Sequence, residues 1–445
     1  MKKILSFAVC IVVIANLVAC NSDAKSTAVK APVDSKSISF DGYDSSNATV
    51  KTTIYPKSIS FDDYDSRSEV MEENSIDESY KKALNKFSFS SASKILSGQS
   101  KNISYSPTSL YMTLSLASIG ANGVTQDEIF SVLGASGKGI NYLSEQNSKL
   151  FRLMYSDNKI GKLKIANSLW LEKNISFKNT FIDNAVRNFY ASIYNVDFSD
   201  DNSAKLMSKW VSENTNGILS PKMSIDKNQI MSIINTIYFK DEWVDLFDEN
   251  NTKPDTFYFS DGGEIKGDFM NRTYAAHSYV KGDGFTSASL GLKNSSSMMF
   301  ILPDKGMSVD DLLSTPEKTA LLFDEKEIKS GKVIFQIPKF SFGNSLDLNN
   351  TLKIMGIKSA FQPEADFSGI SQGAAFISNI KQQTHIAIDE KGVEATAFTK
   401  IDYDGSAAPK ENVAKMILDR PFIFVIKSAN DMILFIGVVN NPSIN

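Results

Sequence analysis

The chain has 445 residues, 42% hydrophobic and 22% charged, a make-up that fits a folded protein with a sizeable core and leaves room for about three domains. Lys and Arg number 47 against 51 Asp and Glu, and this near balance excludes a nucleic-acid binder working through a bulk basic surface. Two histidines, His277 and His385, and two cysteines, Cys10 and Cys20, exclude a disulfide framework and a Cys/His zinc cluster, and leave most histidine-dependent catalysis short of parts.

The N-terminus reads as a processing segment. Met1-Lys2-Lys3 is a short basic start, followed by an apolar run from Ile4 to Val18 interrupted only by Ser6 and Asn16. That length suits a secretory signal core and is short for a bilayer span. Residues 1–19 are therefore expected to stay outside the fold. Leu17-Val18-Ala19-Cys20 resembles the bacterial lipobox, in which the chain is cut before the cysteine and the thiol carries diacylglycerol. The resemblance implies an extracytoplasmic protein held at the cell envelope by a lipid on Cys20. An ordinary secretory signal, with Cys20 there by chance, is the alternative.

Residues 20–75 are rich in Ser, Asp, Lys and Thr and poor in contiguous apolar residues, the composition of a polar, mostly disordered tether. Within them Lys36-Ser-Ile-Ser-Phe-Asp-Gly-Tyr-Asp-Ser45 recurs as Lys57-Ser-Ile-Ser-Phe-Asp-Asp-Tyr-Asp-Ser66. Two copies are too few for a solenoid. They fit either a duplicated spacer or a short docking motif carried twice.

Residues 76–445 read as one unit. Tyr80, Leu84 and Phe87 recur at helical spacing, and Leu110, Leu114, Ala117 and Ala121 do so after Ser106-Pro107-Thr108. From Ile165 onward strand-like runs dominate: Ile230 to Phe239, Ser296 to Leu302, Val333 to Ile337, Phe422 to Ile426 and Met432 to Ile436. Helices first and long apolar strands later imply an α+β domain with large sheets.

Chemical motifs are few. Gly369-Ile-Ser-Gln-Gly373 matches a nucleophile-elbow pattern, but no apolar strand precedes it and no acidic residue separates Ser371 from His385. It reads as a loop, and His277 and His385 read as surface or packing residues. No metal, phosphate or dinucleotide motif appears. The informative segment is Asp389 to Pro409. Val393, Ala395, Ala397, Thr399 and Ile401 are small or apolar at alternate positions. Glu394, Thr396, Lys400 and Asp402 between them are polar, with Phe398 the exception. That is a strand pattern, yet it runs without a break into Gly405-Ser-Ala-Ala-Pro409, which reads as an exposed loop. An ordinary hairpin strand with its turn fits the pattern too.

Several motifs in order then resemble the serpin family across essentially all of residues 76–445. They are Asn102 to Leu110 with Ile119 to Asn122, Trp210-Val211 with Thr215 to Gly217, and Asn235 to Trp243 with Phe247. Ile337 to Phe340, Leu352 to Ile357, Asp366 to Gly369, Arg420 to Phe424 and Leu434 to Gly437 follow. The resemblance implies a serpin fold, with N-terminal helices packed on large, mostly antiparallel sheets and an exposed reactive loop. It implies a monomeric suicide substrate and no enzymatic activity. A target serine protease would cut the loop and form an acyl-enzyme, and the loop would then insert as a new central strand and distort the bound protease.

By the same resemblance Glu390, Gly392, Val393, Ala395, Ala397 and Thr399 form the hinge and inserting strand. Val393 stands where a Thr or Ser is usual, and Phe398 replaces a small residue on the outward side. No proline or charge lies at an inward position. Ser106, Ser109, Asn235 and Gln382 correspond to the "shutter" beneath the sheet, with Gln382 where many members carry a histidine, and Trp243 to the "breach" at its top. Family spacing counted forward from Glu390 puts the reactive bond at Ser406–Ala407, while counting back from Pro421 suggests Ala407. Small residues there imply an elastase-like or subtilisin-like target. A non-inhibitory serpin acting as a cleavable binding protein, or an inhibitor of a cysteine protease, remains open.

Overall fold

The computed structural model describes residues 9–19, 50–51, 56, 59–324, 326–393 and 412–442. Its described helices are α1 (Tyr64–Glu73), α2 (Glu78–Ile95), α3 (Pro107–Ser118), α4 (Gly123–Val132), α5 (Gly139–Met154), α6 (Asn179–Phe189), α7 (Asp201–Asn214), α8 (Val309–Leu313), α9 (Pro316–Leu321) and α10 (Asn349–Met355). The strands form two sheets, giving the α+β architecture expected from the sequence.

The first sheet runs β13 (Phe340–Asp347), β14 (Ala375–Ile388), β1 (Val9–Ala19), β7 (Gln229–Glu242), β5 (Lys162–Glu172), β6 (Ala191–Val196) and β2 (Val50–Lys51). Two short strands, β4 (Ser156–Asp157) and β15 (Gly392–Val393), add to β5 and β7. The second sheet runs β16 (Val413–Ile417), β12 (Ile328–Pro338), β9 (Glu264–Gly282), β10 (Phe285–Gly291), β11 (Ser297–Pro303), β17 (Phe422–Lys427), β18 (Ile433–Val439) and β3 (Ile103–Tyr105), with β8 (Lys253–Tyr258) beside β9.

Local chemistry explains the elements that matter most. Ser106 caps α3, its hydroxyl accepting from the Ser109 amide, and Pro107 at the first helical position has no N–H to leave unpaired. Every residue of α3 is buried, as befits a helix in the interior. It packs against β1 and β7 on one side and β18 on the other. β7 is buried along nearly its whole length, so it is covered on both faces, and its middle is correspondingly rich in apolar residues. Its second cover is α7, whose Met207, Trp210 and Val211 pack with Val12, Ala166, Trp170 and Ile234.

Two segments of the N-terminal region take part in the fold. Residues 9–19 do not stand apart from the fold: they form β1, antiparallel to both β7 and β14, with about ten paired positions on each side. The Val/Ile-rich run that suits a signal core also has the composition of a doubly covered central strand. Within residues 20–75, α1 is ordered as well. Asp63 caps α1 by accepting from the Ser66 amide, and Asn74 is buried where it accepts from Arg152 and donates to the Val70 carbonyl. Arg67 donates to the Phe61 carbonyl, lies over the Phe61 ring and reaches the Ser295 hydroxyl. The second motif copy thus leads into an ordered helix, whereas the first lies outside the described residues.

Candidate functional site: the central strand lane and its hinge

The two long central strands β7 and β14 run parallel to each other, because β1 between them is antiparallel to both. They therefore bound a lane one strand wide. Val13 sits at its middle, opposite Asn235 on one side and Gln382 on the other.

Beneath Val13 a polar network ties the lane's two walls together. Gln382 donates from its amide nitrogen to the Ser106 carbonyl at 3.1 Å and accepts from the Ser106 N–H at 2.9 Å. The Ser109 hydroxyl donates to Asn235, which donates at 2.7 Å to Asn167, which donates at 2.6 Å to the Phe189 carbonyl. Ser106, Ser109, Asn235 and Gln382 are each fully buried, so the network resists solvent competition. The first turn of α3 is its centre. The structure places these four residues together, and the amide of Gln382 bonds both backbone groups of Ser106. Asn167 was missed, and so was a neighbouring cluster in which Asn344 accepts from the Ser104 amide while the Ser104 and Thr384 hydroxyls lie 2.8 Å apart. Only the fold makes these residues neighbours.

At the top of the lane β14 turns through Asp389–Lys391 into β15, which pairs Gly392 with Glu242 and Val393 with Asp241. Val393 is fully buried on the core side, matching the inward phase read from the sequence. Gly392 has φ +148°, and a Cβ there would lie 2.4 Å from the Asp241 carbonyl oxygen, so only glycine fits. Trp243 is buried; its indole donates to the Asp389 carbonyl at 2.9 Å, and its backbone amide donates to the Lys391 carbonyl at 3.1 Å.

Charges lock this corner. Glu390 pairs with Lys339 at 3.1 Å and accepts from the Thr252 hydroxyl at 2.8 Å. Burial pushes its carboxyl up, but its own backbone amide, Thr252 and Lys339 outweigh that and hold it below the ordinary glutamate range. Asp241 is pushed up to about 6, chiefly by burial, despite accepting from both nitrogens of Asn294 and from the Glu242 amide. Glu242 pairs with Lys293 at 2.6 Å. Asp241 and Lys339 lie within motifs that carry the resemblance, yet no role was legible for them or for Thr252 and Lys293, because each gains its role from a partner distant in the chain.

Ala395, Ala397, Thr399, Ser406, Ala407 and Cys20 lie outside the described residues. Ser371 is buried and bridges Phe177, so it presents no nucleophile. His277 stacks on Tyr274, with a ring nitrogen 2.9 Å from the Ser289 carbonyl oxygen, which is a packing role.

The geometry is matched by the comparisons. Residues 82–442 match the family profile described as serpin, serine protease inhibitor. Serpin-Z7 of Hordeum vulgare is 30% identical over 366 residues, covering 77% of this chain and 91% of its own. The thermophilic serpin tengpin in its native state superposes with a TM-score of 0.71 at 28% identity, over 82% of this chain and 95% of its own. Human thyroxine-binding globulin, complexed with thyroxine, gives 0.71 at 25% identity over 82% of this chain and 99% of its own. With a parallel pair of walls around a one-strand lane, a glycine hinge feeding it and a polar network beneath, the chain belongs to the serpin family.

Proposed function

We propose that the chain is an irreversible suicide-substrate inhibitor of serine proteases of the elastase-like or subtilisin-like type. The observation that carries the reading is β15. The segment leading to the reactive loop is already paired with β7 at the top of the lane, with Val393 facing inward and Gly392 absorbing the turn. Small residues at the inward positions Ala395, Ala397 and Thr399 suit rapid continuation of that strand. A target serine attacks the Ser406 carbonyl, its proton passes through the protease's own base to the Ala407 amine, and an ester joins the two proteins. Insertion must then outrun hydrolysis of that ester. This chain supplies the strand and the lane; the protease supplies the chemistry.

We also propose that Cys20 carries a lipid after removal of residues 1–19, which would hold a monomeric inhibitor at the outer side of a cell membrane. Growth with labelled palmitate should label the chain and not its Cys20→Ser variant. An unlabelled wild-type chain would remove the anchor.

For inhibition, the chain beginning at Cys20 is mixed with elastase and with subtilisin. A covalent adduct that survives a denaturing gel is expected, and Ala397→Pro should abolish it while leaving the loop cleavable. Clean cleavage near Ser406 without adduct from any serine or cysteine protease would leave a non-inhibitory serpin, a reading given some weight by the likeness to a thyroxine-binding relative.

A further inference from the structure

We infer that residues 9–19 and the reactive loop are alternative occupants of one strand position. A chain that keeps its N-terminal segment is therefore a substrate, and loss of that segment arms it. The inference rests on the reading above that the loop inserts.

β15 and β1 lie in the same lane, end to end. β15 leaves Val393 opposite Asp241, and β1 begins with Val9 opposite Phe239. One pairing step beyond Val393 falls opposite Lys240, and the next position is already taken. Continued residue by residue, the β15 register would set Ala395 where Val9 is, Thr399 where Val13 is and Ile401 where Ala15 is.

The phase agrees as well as the path. Val13, Ala15 and Leu17 join the main core, as Val393 does, while Val12 and Ile14 face the layer under α7. The inward loop residues thus correspond to the inward residues of β1, and Phe398 corresponds to Val12 beneath Trp210 and Met207. Asn16 accepts from Gln229 and Ser232 at the lower end. The corresponding loop residue, Asp402, can accept from the same donors.

Two strands cannot share one lane. With β1 in place, both hydrogen-bonding edges of β7 and β14 are satisfied, and a cut loop has nowhere to go. The shutter network does not depend on β1, because it joins β7 to β14 through the first turn of α3. Its withdrawal would leave the walls positioned. β1 ends at Ala19, so a single cut before Cys20 clears the whole strand.

The test compares the full chain, produced without export, with its Ala15→Asp/Leu17→Asp variant, whose buried carboxylates should expel β1. Each is measured before and after its loop is nicked by a trace of subtilisin. We expect the thermal midpoint of the full chain to be unchanged by nicking. The variant should start lower, rise on nicking, and alone form the adduct with excess protease. A rise in the full chain equal to that in the variant, or no rise in either, overturns the inference. A rise in the variant without any adduct keeps the shared lane and overturns inhibition instead. Should the variant not fold, the chain beginning at Cys20 replaces it, with a lysine-tagged peptide of residues 9–19 added in trans. The peptide should then block both the rise and the adduct, and failure to block either overturns the shared lane.

Discussion

Gly392 and Asp241 meet at the hinge, where the glycine lies close against the Asp241 carbonyl, and each carries a consequence that can be measured. Gly392→Ala places a Cβ against the Asp241 carbonyl in a region of φ that suits glycine alone. A cost of about 1–3 kcal/mol is expected, read as a lower denaturant midpoint and faster proteolysis after Asp389. Asp241 titrates near 3.8 when unfolded and at about 6 in the fold. Between those values the folded chain holds more protons, so this residue makes the fold more stable as pH falls from 7 to 4. In Asp241→Asn that contribution should vanish from the pH profile of the unfolding midpoint; an unaltered profile would assign it elsewhere. Gln382→Ala strips the Ser106 N–H of its partner in a dry site and leaves the Ser106 carbonyl with the Leu110 amide alone. About 1–3 kcal/mol should be lost, and chemical denaturation checks it.

At the scale of elements, α3 and β7 were legible because their signals are local. Ser106-Pro107 marks a helix start, and an apolar-rich run from Ile230 to Phe239, broken only by Ser232, Asn235 and Thr236, marks a doubly covered strand. Ala121 fitted the helical period yet lies beyond the end of α3 at Ser118, since period alone does not mark a terminus. The hinge was legible as far as Val393, from its alternation. β1 was not, because a run rich in Val and Ile satisfies an exporting machinery and a central strand equally, and only the gap between β7 and β14 distinguishes them. The Lys339–Glu390 pair was hidden for a simpler reason: its members lie on β13's approach and beyond β14, far apart in the chain. α7 offers a test of the layer above the lane. Trp210→Ala empties a site shared by Val12, Trp170 and Met207 and should cost about 3–5 kcal/mol, seen in the thermal midpoint.

For the molecule as a whole, β1 is part of the core. Val12, Val13 and Leu17 are fully buried, and each such side chain contributes about 1.5–3 kcal/mol. Deleting residues 1–19 should therefore lower the denaturant midpoint by an easily measured margin, and equal midpoints would show that β1 does not hold the lane in solution. On the inference above, the lane recognises size and alternation, with backbone groups supplying the adhesion, so that sequences as unrelated as Val-Val-Ile-Ala-Asn-Leu17 and Phe-Thr-Lys-Ile-Asp-Tyr403 would fit it alike. An export leader is ordinarily free to drift so long as it stays greasy. Under the proposed export and shared lane, drift is constrained: exchanging the valines and isoleucines of β1 for leucines, or placing a bulky residue at Ala15, would leave secretion intact and silently change when the protein becomes able to act.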